Sequence, residues 1–184
     1  EGLICCSACL GGELPQKIME GLANISAGNG TVDSNTAYQA AEDTITWYKN
    51  LFGEDYYIEI QRHQTTKEGA DQYVYQRQKE VNPVLISLAQ KHGVKVVATN
   101  DVHFVEEEHA EAHDHLVCVS TNHFIDDPDR MRYTKQEWLK SPEEMAEVFG
   151  DIPEALENTQ EIVDKIEIYD IDSGPLMPKF PIPE

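Results

Sequence analysis

The sequence predicts a parallel α/β fold, and three observations indicate it. The run 94–98 is apolar and mostly β-branched, which is typical of a buried strand. Two further strand patterns, at 2–6 and 56–61, precede it with helical patterns between them, and this alternation favours a parallel sheet or barrel. Polar side chains follow all three strands, at the ends where parallel α/β proteins gather functional groups.

The elements of the first part follow from hydrophobic spacing and turn residues. Residues 2–6 predict a short buried strand, and Pro15 opens a helix that is expected to reach about residue 21. A loop rich in Gly, Asn and Ser is expected over 22–35. Apolar residues then recur every three or four positions over 34–52, which predicts a second helix.

The middle of the chain supplies the other two strands and the helix between them. The pattern at 56–61 is aromatic and β-branched, as strands prefer. Residues 64–81 are polar, and their pattern does not decide between a loop and a helix. Asn82-Pro83 suits a helix entry or a kink, and an apolar stripe then runs to Gly93, where the third strand begins.

The last part of the chain is predicted to be mostly helical. A helix is expected from Glu106, followed by a turn at 126–130. Ser141-Pro-Glu-Glu predicts a helix start with a capping box, and another helix is expected over 151–166. The proline-punctuated segment 175–184 predicts an extended connector, because proline interrupts helices and central strands.

Composition argues against several functions. The chain has 184 residues, 34 acidic against 14 basic, and its net charge of -20 disfavours a duplex-binding surface within it. No apolar run approaches the length of a membrane-spanning helix and no leader resembles a signal peptide, so a cytoplasmic location is expected. The four cysteines lack zinc-finger spacing and are expected to be reduced.

The strongest candidate site is the polar end of the third strand, Asn100-Asp101-Val102-His103. Side chains two apart on an extended chain point the same way, so Asp101 and His103 would present a carboxylate and an imidazole to one point. This is a chelating pair. The alternative is a capped turn in which Asp101 caps a helix and His103 is merely exposed.

Other candidates are weaker on their own. Cys9 and His63 follow the first two strands, but a buried small hydrophobe and an exposed loop histidine are the more common roles of such residues. His109 and His113 lie four apart, like half of a zinc site, yet the sequence lacks the glutamate of that motif, which favours an exposed helix start. The role of His115 stays open.

Seven short motifs, spread in order along the chain, carry a family resemblance. They are Ser7-Ala-Cys-Leu-Gly-Gly-Glu, Ile58-Glu-Ile-Gln-Arg-His, Val97-Ala-Thr-Asn-Asp-Val-His-Phe, Asp127-Pro-Asp-Arg, Leu139-Lys-Ser-Pro-Glu-Glu-Met, Glu157-Asn-Thr and Pro178-Lys-Phe-Pro-Ile-Pro-Glu. In this combination the chain resembles bacterial DNA polymerase III alpha subunits. The similar part is the second half of their N-terminal PHP (polymerase and histidinol phosphatase) domain, up to the edge of the polymerase palm.

The resemblance implies a fold and a division of the chain. Residues 1–120 would form the last strands and helices of a distorted (β/α)7 PHP barrel. Residues 121–184 would form a mostly helical connector leading to the palm. The chain would then be a fragment of a longer protein, and a half barrel exposes strand edges, so self-association is expected.

The resemblance also implies a metal cluster at the barrel edge. Cys9, Asp101 and His103 match metal ligands of the family, whereas His63 and Asn100 would lie beside them, supporting a ligand or facing the substrate. The donor types suit zinc, manganese or iron, and such a cluster would activate water for attack on a phosphodiester. The family's other ligands lie outside this chain, which alone should not hold a complete cluster. Ala8 departs from the family's usual glycine.

The implied functions belong to the parent protein. They are template-directed DNA synthesis, with Mg²⁺ at a palm that this chain lacks, and a metal-dependent 3′–5′ exonuclease activity of the PHP site. DNA, deoxynucleoside triphosphates, a sliding clamp and a separate proofreading exonuclease subunit would be the partners. Two alternatives are a catalytically silent PHP scaffold that docks the exonuclease subunit, and a free-standing PHP phosphatase. This fragment alone is expected to be inactive.

Overall fold

A computed structural model describes residues 2–26, 37–170, 172 and 174–179 of the chain. Strands β1 (Cys5–Cys6), β2 (Tyr56–Ile60) and β3 (Lys95–Ala98) form one sheet in the order β1-β2-β3. Both pairings are parallel, with Cys5 opposite Tyr56 and Tyr57 opposite Lys95. The parallel α/β prediction is therefore confirmed.

The helices with bounds inside the described residues are α1 (Glu13–Ser26), α2 (Gln39–Phe52), α3 (Tyr73–His92), α4 (Ala110–Thr121), α5 (Pro142–Phe149) and α6 (Pro153–Lys165). Short 3-10 turns at Gly53–Asp55 and Glu107–His109 precede β2 and α4. In the part of the chain that the structure covers, no helix is both long and apolar enough to cross a bilayer.

Several strands and helices begin or end at residues other than those predicted. The strand expected over 2–6 is formed only by Cys5–Cys6, because Leu3 lies 70% exposed outside the ladder. Helix α1 continues to Ser26, into the loop predicted at 22–35, and the rest of that loop falls on residues 27–36, which lie outside the described residues. The start predicted for the second helix, at 34–36, lies outside them as well.

Residues 64–81, for which the sequence did not decide between loop and helix, form an irregular segment followed by the first turns of α3. The helix begins at Tyr73, so Pro83 lies in its interior and the helix-entry interpretation of Asn82-Pro83 is wrong. Tertiary contacts explain the difference, since the Asn82 amide is buried and donates to the Gln61 carbonyl at 2.9 Å.

The predicted helix starts of the last part are largely confirmed. Ser141 caps α5 with both hydrogen bonds of a capping box: its hydroxyl accepts from the Glu144 N–H at 3.2 Å, and the Glu144 carboxylate accepts from the Ser141 N–H at 2.7 Å. The helix expected over 151–166 is α6. Residues 122–141 are irregular, and 174–179 contain neither helix nor strand.

The two faces of the sheet differ in character. One face carries Tyr56, Ile58, Ile60 and Ala98, which join the buried core with residues of α1, α2 and α3. The other carries Glu59, Gln61 and Thr99, because side chains alternate along a strand. These three side chains hydrogen-bond one another, with the Glu59 carboxylate accepting from the Thr99 hydroxyl. The second face also carries Tyr57 and Val97, both buried, so it is mixed and becomes polar toward the strand ends.

Helices α5 and α6 complete the core on the side of β3. Phe149 of α5 and Ala155 of α6 are fully buried in the same cluster as β2 and β3. Asn158 of α6 donates to the Val96 carbonyl at 2.8 Å. The segment after residue 120, predicted as a connector, therefore contributes to the core that supports the strand ends.

Candidate functional site

The carboxyl ends of the three strands lie at one edge of the sheet, because both strand pairs are parallel. Cys9 follows β1, His63 follows β2, and Asn100, Asp101 and His103 follow β3. The topology therefore places all the sequence-predicted site residues on this side of the molecule, which we call the strand-end edge.

The β3 end does not remain extended as the sequence argument assumed. Asp101 has φ 47°, in the left-handed region, and this turn brings the His103 ring to the backbone of Asp101. His103 Nδ1 lies 2.6 Å from the Asp101 carbonyl oxygen. A carbonyl oxygen only accepts, so Nδ1 carries the proton and Nε2 keeps its lone pair.

This geometry rules out the capped-turn alternative for Asp101. Asp101 caps no helix among those described, since the turn before α4 is capped by Glu106 and His109. Within the described residues its carboxylate makes no hydrogen bond. The partly buried carboxylate and the exposed imidazole are therefore both able to accept a ligand.

Ala8 also has a left-handed backbone, with φ 63°, and it lies at the same edge after β1. For a residue with a Cβ, this conformation costs about 1–2 kcal/mol, a cost that glycine avoids. The glycine that the family resemblance implies at this position would avoid this cost. Strained backbone at two of the three strand ends is typical of functional sites.

Asn100 links the β3 end to the irregular segment 122–141. Its side-chain amide donates to the carbonyls of Gln136 and Trp138 at 2.8 and 2.7 Å. These two bonds orient the amide and leave Oδ1 buried, without a hydrogen-bond partner among the described residues. An orphaned oxygen beside Asp101 is an acceptor suited to a cation or to a water molecule bound there.

His63 is buried, with 2% of its surface exposed, so the loop-histidine alternative is wrong. Its backbone N–H donates to Gln78 Oε1 at 2.7 Å, which turns the Gln78 amide nitrogen toward His63 Nδ1, 3.1 Å away. His63 Nε2 therefore carries the proton and donates to the Asn100 carbonyl at 3.2 Å. With both ring nitrogens engaged, His63 supports the β3 end.

The burial of His63 predicts a pH-dependent stability. Burial lowers the pKa of its imidazole, and Glu137, with Oε1 3.9 Å from Nδ1, opposes only part of this shift. A folded-state pKa below the unfolded value of about 6.5 means that the stabilisation is complete above that pH and is lost as the pH falls toward the folded pKa. We expect the free energy of unfolding to decrease between about pH 6.5 and 5, a window above the range in which ordinary carboxylates titrate.

Urea unfolding monitored by circular dichroism at several pH values measures this slope. His63→Gln removes the titrating group and should flatten the slope, apart from the contribution of His113, whose pKa burial also lowers. His115→Gln is the matched control, because that histidine is exposed on α4. An equal slope in the His63→Gln variant and the wild type would contradict the assignment.

Cys9 lies half-buried beside a cavity of about 10 Å³, room for roughly one water molecule. The lining of the cavity is mixed. Polar side chains come from Glu59 of β2, from Gln61 just after β2, and from Gln78 and Asn82 of α3, whereas Ala8, Leu10, Pro15 and Leu85 are apolar. Cys9 is a free thiol. Its surroundings are therefore neither fully apolar, as the buried-hydrophobe alternative predicts, nor fully polar.

Three further residues lie at the strand-end edge, and the sequence indicated only one of them, His113, as a weak candidate. Tyr133 and His113 pack against His103, with ring centroids 4.7 and 5.6 Å from its ring. Glu137 is buried, and its carbonyl accepts from the His103 N–H at 2.8 Å. His113 did carry a weak signal through its spacing from His109. No pattern marks Tyr133 or Glu137, which lie in an irregular segment.

The histidine pair at 109 and 113 does not form half of a zinc site. His109 Nδ1 accepts from the Glu106 N–H at 3.2 Å in the capping turn before α4, as an exposed helix start predicts. His115 Nδ1 bonds the Glu111 carbonyl at 2.8 Å on the helix surface. Only His113 faces the strand-end edge.

The chemistry of the edge fits a divalent metal in part. Thiolate, carboxylate and imidazole are ligands of zinc, manganese and iron, and a ligating histidine commonly donates its other ring N–H to a carbonyl, as His103 does. Among residues 2–26, 37–170, 172 and 174–179, however, no three His, Cys, Asp or Glu side chains come close enough to hold an ion. The assignment of Cys9, Asp101 and His103 as ligands stays a prediction.

Comparison with known proteins identifies relatives of the whole chain. Residues 1–63 match the PHP domain family. The chain is 38% identical over 98% of its length to DNA polymerase III subunit alpha of Campylobacter jejuni, and 39% identical over its full length to that of Borreliella burgdorferi. The subunit of Pseudomonas aeruginosa is 36% identical over the full length of this chain. The chain spans only 14% of each of these relatives.

Proposed function

Because this chain is homologous over its whole length to one segment of bacterial DNA polymerase III alpha subunits, and includes a PHP sequence, we propose that it is the PHP region of a replicative DNA polymerase. Its parallel sheet would be the last part of a (β/α)7 barrel. The remaining strands would then come from residues preceding this segment in the parent protein. On this proposal this segment, when separated from the preceding part of the parent protein, would self-associate through the edge of β1.

We further propose that the strand-end edge is part of a metal-dependent phosphodiesterase site acting on 3′ ends of DNA. The observation that carries this proposal is the bond between His103 Nδ1 and the Asp101 carbonyl, which leaves the lone pair on Nε2 available at the strand-end edge. Asp101, His103 and Cys9 would hold a zinc, manganese or iron ion with further ligands from the rest of the barrel. Such an ion, when bound, supplies polarisation of the phosphodiester and a more acidic water.

The chain's own residues would orient these ligands. The Asn100 side chain links the β3 end to residues 136 and 138 by hydrogen bonds, and His63 donates a hydrogen bond to the Asn100 carbonyl. The backbone of Asp101 fixes the proton on His103 Nδ1. These contacts set the direction of the two donors before a metal binds, which is how protein sites keep metal ligands in productive geometry.

The activity of the parent protein is a proposal from homology. It would be template-directed DNA synthesis from deoxynucleoside triphosphates, with Mg²⁺ at a palm outside this chain, in the cytoplasm. A sliding clamp and a proofreading exonuclease subunit would be its partners. Since this segment has a net charge of -20, the binding of duplex DNA would be provided by other parts of the protein.

The proposal is tested in the full-length alpha subunit that contains this segment. Elemental analysis after dialysis should find stoichiometric zinc, manganese or iron in the wild type, and at least tenfold less in Asp101→Asn. Asp129→Asn is the control, because Asp129 lies exposed in the turn after α4 and leaves the edge unchanged. Removal of mismatched 3′ nucleotides, assayed without the exonuclease subunit, should fall in parallel.

Equal metal content and equal 3′ removal in all three proteins would overturn the phosphodiesterase proposal. That result would favour the scaffold alternative, in which the PHP domain docks the proofreading exonuclease subunit. Activity of this chain on small phosphate esters would instead support a free-standing phosphatase.

A further inference from the structure

We infer that Tyr133 and His113 are positioning residues that hold the His103 imidazole in its ligand orientation. The inference rests on the proposed metal-dependent function of the strand-end edge. It adds two residues from outside the strand-end motifs, one on α4 and one in the irregular segment 122–141.

The His103 ring is exposed, yet two other rings, which also contact each other, pack against one side of it. The Tyr133 ring lies 4.7 Å away at 54°, and the His113 ring lies 5.6 Å away at 60°. Tyr133 and His113 also contact each other edge-on at 4.8 Å, and Phe104 packs against His113 at 5.2 Å. Tilted and edge-on contacts at these distances are favourable aromatic geometries, so the four rings stabilise one arrangement.

The contacts with Tyr133 and His113 restrain the orientation of the His103 imidazole more firmly than its one hydrogen bond can. The bond from Nδ1 to the Asp101 carbonyl belongs to residues two apart in a turn, and an exposed imidazole could break it by rotating about its side-chain bonds. The two rings packed against one side of the imidazole restrict that rotation. Nε2 then keeps its lone pair directed away from the backbone, and the ordering of this ligand is complete before a metal binds.

Tyr133 is held in place by hydrogen bonds of its own segment. The carbonyl of Tyr133 accepts from the Asp71 N–H at 2.9 Å, and the next residue, Thr134, is fully buried and bonded to the Glu137 carboxylate. The Glu137 carbonyl in turn accepts from the His103 N–H, so the Tyr133 segment is tied to the backbone of the residue that it orients.

His113 is held by its neighbour on α4. Asp114 forms a buried ion pair with Arg130, which fixes this turn of the helix against the segment 122–131.

The orientation can be measured in this chain without any metal. Long-range ¹H–¹⁵N correlation spectra of the imidazoles report which ring nitrogen is protonated, and His103→Gln assigns the signal. Wild-type His103 should be in the Nδ1–H form. Tyr133→Leu and His113→Leu should each move it toward the Nε2–H form that free histidine prefers, whereas Tyr133→Phe and His113→Phe, which keep an aromatic ring, should not.

A second readout follows the metal in the full-length subunit. Visible spectra of bound Co²⁺ should show a dissociation constant raised about fivefold to tenfold in the two Leu variants and unchanged in the Phe variants, the range for residues that orient a ligand. Unfolding midpoints confirm that each variant is folded.

The two readouts separate the two hypotheses. If neither Leu substitution changes the protonation of His103, the positioning role is overturned, whatever the metal content. If the protonation of His103 changes but the wild-type subunit binds no Co²⁺, the positioning role of Tyr133 and His113 is supported and the proposed metal-dependent function fails.

Discussion

Replacement of Arg130 by methionine is expected to lower the free energy of unfolding by about 3–5 kcal/mol. Arg130 donates to both carboxylate oxygens of Asp114, at 2.6 and 2.7 Å, and the two side chains are only 4% and 10% exposed. Its Nε also donates to the Ile125 carbonyl at 2.9 Å. Methionine fills a similar volume but leaves the Asp114 carboxylate charged, buried and unpaired.

Urea unfolding followed by circular dichroism measures this loss, and two controls define its cause. Arg77→Met breaks an exposed pair with Glu80 and should cost less than about 1 kcal/mol. The double variant Asp114→Leu/Arg130→Met removes both charges and should recover most of the stability, since a buried ion pair can be replaced by apolar residues at little net cost. A single variant as stable as the wild type would show that the pair is hydrated in solution.

Phe149→Ala is expected to destabilise the chain by about 3–5 kcal/mol. The ring is fully buried at the end of α5, in the core that also contains β2 and β3. Arg62 covers one ring face at 5.1 Å and is itself held by the Val148 carbonyl at 2.9 Å and the Asp151 carboxylate. Alanine would leave a cavity that these anchored neighbours cannot fill.

Phe124→Ala is the matched control, because that ring is 81% exposed and its removal should cost little. The midpoint of urea unfolding again gives the difference. The shape of the transition is equally informative: a core shared by α5 and the sheet predicts one cooperative transition. Two separate transitions, with Phe149→Ala affecting only one, would contradict a shared core.

Much of the fold could be predicted because its signals are local. The β-branched run of β3, the helical spacing of α2 and the capping box at Ser141 each depend on neighbouring residues. The alternation of strands and helices also predicted parallel pairing, and parallel pairing brings Cys9, His63 and the β3 end to one edge. The motifs likewise indicated the similarity of the chain to DNA polymerase III alpha subunits.

The arrangement of the edge depends on contacts between distant residues. His63 gave no sign of burial, which is imposed by Gln78 of α3 and by the carbonyl of Asn100. Asp101 was expected on an extended chain, but its backbone turns left-handed, and the His103 N–H is instead paired with Glu137.

The sequence by itself determined the order of the elements, the parallel sheet and the residue types at its carboxyl edge, since these follow from short-range hydrophobic spacing. Only the tertiary structure decided which of those side chains are free. Among the residues that the structure describes, His103 Nε2 makes no hydrogen bond whereas both ring nitrogens of His63 do, and Tyr133 and His113 join the edge although none of the seven family motifs includes them. The reason is that hydrogen-bond partners and ring contacts are supplied by segments far apart in the chain and brought together only by packing.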